Sequence, residues 1–289
     1  MDKLRGLVSL TRPYVLLTTT SFYIAATFLS TNTIPFFIPF LTGYVAVALA
    51  IASAHTLNDY FDWITDKKNP RTANRVIPSG VVPPRLALIL GLTYGVVAVV
   101  LTFFLNPLCV LLAFIAIPLP FAYNYMRKQE IPYSFVCTML AVFFIILLGS
   151  AAITGQYFPT FVLFFVFFGM SWEMGRTLIS EVQDVDIDKV NKVTTFSTAI
   201  SSKRAAQLIL VLFSIASIMS IVIGVIGQLG FLYLIVAVVS SCWLIYRSVQ
   251  LVKTPTTPNA VQMRYRAPRY LVTICLVLVF ATLLNYIFF

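Results

Sequence analysis

Nine stretches of this chain are apolar enough, and long enough, to cross a lipid bilayer, and nothing else in the sequence restricts the possible folds as much. They cover residues 14–30, 36–57, 85–105, 107–126, 132–153, 158–180, 205–226, 229–249 and 268–288. A hydrocarbon core about 30 Å thick takes about 20 helical residues to cross, and inside it every backbone N–H and C=O must be bonded within the protein. A single helix meets that condition, whereas an open sheet edge does not. The expected fold is therefore all-α, an integral membrane protein with nine transmembrane helices in one bundle. Asn32-Thr33, Asn106-Pro107, Gly155-Gln156 and Gly227-Gln228 are among the short breaks between spans. No linker or composition shift marks a second domain, so a single domain over residues 1–289 is expected.

The few charges are placed unevenly. Only 10% of the 289 residues are charged and 60% are hydrophobic, far from the balance of a soluble domain. Of the 20 Lys and Arg, three (Lys3, Arg5, Arg12) precede the first span. Lys67, Lys68, Arg71, Arg75 and Arg85 follow the second; Arg127 and Lys128 follow the fourth. Lys189, Lys192, Lys203 and Arg204 follow the sixth; Arg247, Lys253, Arg264, Arg266 and Arg269 follow the eighth. The remaining cation, Arg176, lies inside the sixth span. No loop of the opposite parity carries a cation. Cationic loops stay cytoplasmic, so the expected topology is a multi-pass protein of the cell membrane with its N-terminus inside and its C-terminus outside. The net charge of +10 serves that topology, and nucleic-acid binding, which needs a soluble basic face, is excluded. No obligatory protein partner is evident.

The first span lacks a small-residue cleavage site, and no removed signal peptide is expected. Cys109, Cys137, Cys242 and Cys275 lie in apolar spans without metal-type or redox-type spacing and read as packing residues.

The acidic residues carry more information. Seven of the 10 form two groups: Asp59, Asp62 and Asp66 at the end of the second span, and Glu181, Asp184, Asp186 and Asp188 at the end of the sixth. On a helix, Asp59, Asp62 and Asp66 stand at i, i+3 and i+7, and so do Glu181, Asp184 and Asp188. Each set therefore presents its carboxylates in one direction. Stacked like charges repel, and a hard divalent cation with oxygen ligands offsets the repulsion. Such sparse sites suit Mg²⁺, which keeps several waters and recruits phosphate oxygens from a substrate. The other reading, solvated helix ends beside the membrane, accounts for one cluster more easily than for two with equal spacing on one face. Arg71 and Arg75, four apart, suit bidentate phosphate contacts, and Lys128 adds a point charge; a topological anchor is the alternative for each. Glu173 and Arg176 lie within an apolar span, where ionisable groups are costly. They form a mutual ion pair, or Arg176 meets an anionic group of a second substrate. Asn58 offers one further oxygen, while His55 is most simply a packed residue.

These residues resemble those of one family. "NDYFDWITD", Asn58 to Asp66, is similar to the NDxxDxxxD signature of the UbiA superfamily of intramembrane prenyltransferases, and "EVQDVDID", Glu181 to Asp188, resembles its DxxDxxxD motif. "LTRPY" near the start, "NPRTANRVIPSG" after the first motif and "YNYMRK", with Tyr125 and Lys128 spaced as in a YxxK element, follow in the expected order. Glu181 stands where an Asp is usual, Val76 replaces a frequent Pro, and Asn191 stands near a usual Gly. The resemblance implies a bundle around a central cavity open to the cytoplasmic side. It also implies transfer of a prenyl group from a polyprenyl diphosphate to an acceptor. Two Mg²⁺ ions would be held by Asn58, Asp59, Asp62, Asp66, Glu181, Asp184 and Asp188. Of these, Asp62, Asp66, Asp184 and Asp188, with Lys128, would carry catalysis, and Asn58, Arg71, Arg75, Tyr125 and Arg176 would contact substrate. The apolar spans would hold the prenyl tail and exclude water.

The lead into the second motif, "GRTLISEVQDVDID", resembles that of the geranylgeranylglycerol-phosphate geranylgeranyltransferase subfamily, which makes archaeal ether lipids. It implies geranylgeranylglyceryl phosphate as acceptor, with Arg176 on its phosphate. An aromatic acceptor such as 4-hydroxybenzoate, in quinone synthesis, is the alternative. A secondary transporter would place ionisable groups at the bilayer midplane within repeated, discontinuous spans; here the acidic clusters sit at helix ends. A lipid-binding relative without catalysis has no use for the full ligand set.

Overall fold

The computed structural model describes residues 3–31, 34–68, 72–155, 158–190 and 193–288. These residues form twelve helices and no strand. The chain opens with α1 (Lys3–Leu10), α2 (Pro13–Thr31), α3 (Phe37–Lys68), α4 (Pro84–Thr102), α5 (Pro107–Ala116) and α6 (Leu119–Lys128). It continues through α7 (Phe135–Thr154), α8 (Thr160–Val190), the short α9 (Phe196–Ala199), α10 (Ser202–Ile226), α11 (Gly230–Lys253) and α12 (Thr257–Phe288). Counting α5 and α6 as one span broken at Pro118, there are nine helical spans of membrane length among the described residues.

Local chemistry explains the breaks. Pro107 begins α5 behind Asn106, whose side-chain oxygen accepts the Cys109 N–H at 3.0 Å. Its amide donates to the Ala151 carbonyl at 2.8 Å, fixing α5 to α7. Gly155 ends α7 with φ 76, a left-handed conformation that glycine adopts without steric cost.

The helices pack through small residues and hydroxyls, as lipid-embedded bundles must where the lipid is as apolar as the side chains. Packing pairs α3 with α4, α8 with α10, and α2 with α7, while α12 closes on α8, α11 and α2. A Cβ on Gly149 of α7 would lie 2.8 Å from the Tyr23 carbonyl oxygen of α2, and one on Gly175 of α8 would lie 2.5 Å from the Phe213 ring of α10. Ser30 donates to Ser150 at 2.8 Å across the α2–α7 contact, and Ser53 to the Gly91 carbonyl at 2.7 Å across α3–α4. The buried core centres on Phe22, Phe165, Phe168, Trp172, Phe213 and Tyr270, with the Trp172 ring stacked on Phe213 at 5.1 Å and on Tyr270 at 5.4 Å.

A second, smaller cluster lies at the polar end. Leu10 of α1 packs with Val76, Ile77 and Val82 of the α3–α4 connection and with Ala87 of α4. It holds the connection, and Arg75 within it, against the end of α3.

Candidate active site

The helices α3 and α8 both outrun the bilayer. With 32 and 31 residues, against the roughly 20 needed to cross, each projects about three turns of polar helix, and the acidic residues occupy those turns. The helical spacing expected from the sequence is thereby met on both elements.

On α3, the three aspartates have unequal surroundings. Asp59 is buried at 6% exposure and forms an ion pair with Arg12, which precedes α2. Arg75 donates to Asp66 Oδ2 at 2.7 Å and reaches Asp59 Oδ1 at 3.5 Å. Thr72 caps the end of the helix by donating to the Asp66 carbonyl at 3.1 Å. Asn58 Oδ1 is buried with no hydrogen-bond partner. An orphan oxygen of that kind carries a desolvation cost unless a cation or donor meets it.

On α8, Glu181 Oε2 accepts the Ser197 N–H at 3.2 Å, so this carboxylate also orders the segment after the helix. Gln183 donates to Asp184 at 3.3 Å and accepts from Arg264 of α12 at 3.0 Å. Asp186 faces outward, accepting from Thr257 at 3.1 Å.

A cation on α6 connects the clusters. Arg127 lies within electrostatic range of Asp62 on α3 and Asp188 on α8, and of Glu181 as well. It donates to the Tyr123 hydroxyl at 3.2 Å. Sequence reasoning assigned Arg127 to topology alone; its signal was its place beside Lys128 in the tyrosine-lysine element. Lys128 sits over the Phe61 ring, its Nζ 4.9 Å from the centroid, next to Asp62 in sequence. Tyr125 is 62% exposed. Arg71 lies outside the described residues. Arg12, read as a topological charge, is brought to the site by the fold.

Beneath the charged ends lies a cavity of about 570 Å³. Its wall is almost entirely apolar, including Ile51 of α3, Val96 of α4, Phe121 of α6 and Ile145 of α7. Along α4 it extends from Leu92 to Thr102, about 15 Å at the helical rise. Its charged lining residues, Glu173 and Arg176, come from α8 at the end nearer the acidic clusters. Arg176 Nε donates to Glu173 Oε2 at 2.8 Å, with a second bond from Nη2 to Oε1. Of the two roles open for Arg176, the structure displays the ion pair, and it displays it on the cavity wall.

Among the described residues, no three acidic, histidine or cysteine side chains converge closely enough to form a metal site by themselves.

Two polar clusters at one end of a helical membrane bundle, over an apolar cavity within it, define the class of architecture. The chain belongs to the UbiA prenyltransferase family, whose description matches residues 16–267, and it is a prenyltransferase of that family. It is similar to the digeranylgeranylglyceryl phosphate synthase of Natronomonas pharaonis, with 30% identity over 90% of this chain and 92% of the relative. It is also similar to the 4-hydroxybenzoate octaprenyltransferase of Vibrio atlanticus, with 30% identity over 57% of each chain. A solved structure of digeranylgeranylglyceryl phosphate synthase shares the fold with a TM-score of 0.77 at 20% identity, over 98% of this chain and 99% of that one. The UbiA homolog of Archaeoglobus fulgidus, bound to DMAPP and Mg²⁺, shares it with a TM-score of 0.68 at 14% identity, over 95% of this chain and 99% of that one.

Proposed function

We propose that this chain transfers a prenyl group from a polyprenyl diphosphate to geranylgeranylglyceryl phosphate in a Mg²⁺-dependent reaction, as one domain spanning the whole chain. The observation that carries the proposal is the placement of two carboxylate clusters above an apolar cavity whose charged lining, among the described residues, is the Glu173–Arg176 pair. The clusters suit a metal-bound diphosphate, the apolar cavity a prenyl tail, and the pair an anionic acceptor.

The donor set fits Mg²⁺. Asn58 offers a buried oxygen without a partner, and Asp62, Asp66, Asp184 and Asp188 supply carboxylates from two helices. Sparse protein ligation, with no three-residue cage among the described residues, is how Mg²⁺ is held when substrate phosphates complete its shell. Asp59 and Glu181, given as ligands by the resemblance, also order the site, the first through Arg12 and the second through the Ser197 N–H. When bound, the ions neutralise the diphosphate and make it a better leaving group. Arg75, Arg127 and Lys128, with Arg71, hold the diphosphate oxygens and stabilise the charge that develops as the allylic C–O bond breaks. The apolar wall keeps water from the allylic carbon until the acceptor reaches it.

The acceptor assignment rests on Arg176 and on the near full-length similarity to the Natronomonas pharaonis synthase. An aromatic acid remains the second reading, favoured by the similarity to the hydroxybenzoate enzyme. Placement of the N-terminus and the charged cluster in the cytoplasm is supported by the cationic loops. The test is diphosphate release by the purified protein with geranylgeranyl diphosphate and Mg²⁺, comparing the two acceptors. Release dependent on geranylgeranylglyceryl phosphate is expected; release with 4-hydroxybenzoate alone would move the protein to quinone synthesis.

A further inference from the structure

Alkylating an alcohol leaves a proton to be removed. In the reaction proposed above, the bond between the prenyl C1 and its diphosphate oxygen breaks and the electron pair leaves with diphosphate. The acceptor hydroxyl oxygen bonds to C1, and its proton must go to a base. Ions and guanidiniums above the cavity cannot accept it. Among the described residues, the groups lining the cavity that could act as a base are His55 of α3 and Glu173 of α8, and Glu173 is the only carboxylate. It is buried at 6% exposure, and Arg176 holds it through two hydrogen bonds. Arg176 is eight residues from Asp184 on the same helix, about 12 Å at the helical rise. That span leaves room for a diphosphate and its first carbon between the clusters and the pair.

We infer that Glu173 is a catalytic residue that receives the acceptor's hydroxyl proton, and that the acceptor's phosphate frees it by taking over Arg176. The inference rests on the phosphate-bearing alcohol as acceptor. Before the acceptor binds, the pair neutralises itself in a region where an isolated charge is costly. Arg176 presents a planar fork that suits a phosphate as well as a carboxylate. When the phosphate engages it, Glu173 loses its two hydrogen bonds from Arg176 and presents both carboxylate oxygens to the acceptor hydroxyl. The proton acceptor is thus exposed only once the correct acceptor is seated, and a water entering alone leaves the pair closed.

The test uses the full-length protein in lipid nanodiscs with geranylgeranyl diphosphate and Mg²⁺. The acceptors are geranylgeranylglyceryl phosphate and the same alcohol without its phosphate. Glu173→Gln is expected to lower kcat for the phosphorylated acceptor by about 10²–10⁴-fold, the usual contribution of a general base. Calorimetric binding of geranylgeranyl diphosphate should be unchanged, which also shows that the variant is folded; Glu173→Asp should recover part of the rate. Arg176→Gln should raise KM for the phosphorylated acceptor at least tenfold and, because Glu173 then has no partner to be released from, narrow the kcat/KM ratio between the phosphorylated and dephosphorylated acceptors. Wild-type turnover that persists in Glu173→Gln, or is lost in His55→Asn instead, overturns the inference alone. No turnover of the phosphorylated acceptor by the wild-type protein overturns the acceptor assignment and this inference with it.

Discussion

Asp59 and Asp62 stand three positions apart on α3 yet meet different neighbours. Asp59 is buried against Arg12 and Arg75, whereas Asp62 lies in the field of Arg127 from α6. Arg12 adopts a left-handed backbone with φ 48, a conformation that costs energy in any residue bearing a Cβ. Its ion pair with Asp59 offsets that cost and ties α1 and α2 to the first cluster. Arg12→Ala is expected to destabilise the protein by roughly 1–3 kcal/mol, the range for a lost bond between charged groups. A thermal melt in detergent would show it, and the Arg12→Ala/Asp59→Asn double variant should lose less than the sum of the single losses. The clusters themselves were legible in the sequence, because carboxylates are conspicuous in so apolar a chain. The Arg12–Asp59 pair was not, since its partners are 47 positions apart and Arg12 has an equally good topological explanation.

At the scale of elements, the nine spans are where hydropathy places them, because lipid demands unbroken apolar helices. Their ends are not. The second and sixth spans were expected to close at residues 57 and 180, yet α3 runs to Lys68 and α8 to Val190. The ninth was expected from residue 268, yet α12 starts at Thr257 and passes through Pro268. Hydropathy marks the lipid-embedded part of a helix, whereas hydrogen bonding continues into the interface. A helix of eight residues such as α1 is too short to register at all. Close helix approach depends on single glycines that no periodicity reveals. Gly149→Val places side-chain atoms against the Tyr23 carbonyl and is expected to cost about 1–3 kcal/mol, as overpacking does. Its thermal melt should fall while the spans remain inserted.

For the molecule as a whole, the two clusters lie at the same end of the bundle, with Arg127 in electrostatic range of both, and the cavity is lined by residues of α2 to α8. Neither the cavity nor the third element joining the clusters follows from sequence spacing, because both depend on how the helices are arranged. The topology has its own test. With the exposed Cys242 replaced by Ala, Ser79→Cys in the α3–α4 connection should react with a membrane-impermeant maleimide from the cytoplasmic face. Phe104→Cys, 75% exposed after α4, should react from the other face, and the reverse pattern would invert the proposed orientation. The central claim is that two carboxylate clusters act together on one metal-bound diphosphate. Its most direct test is Mg²⁺-dependent diphosphate release by Asp62→Ala and by Asp184→Ala, each shown to be folded and inserted in membranes. Loss of release in both is the predicted result, and full activity in either would contradict it.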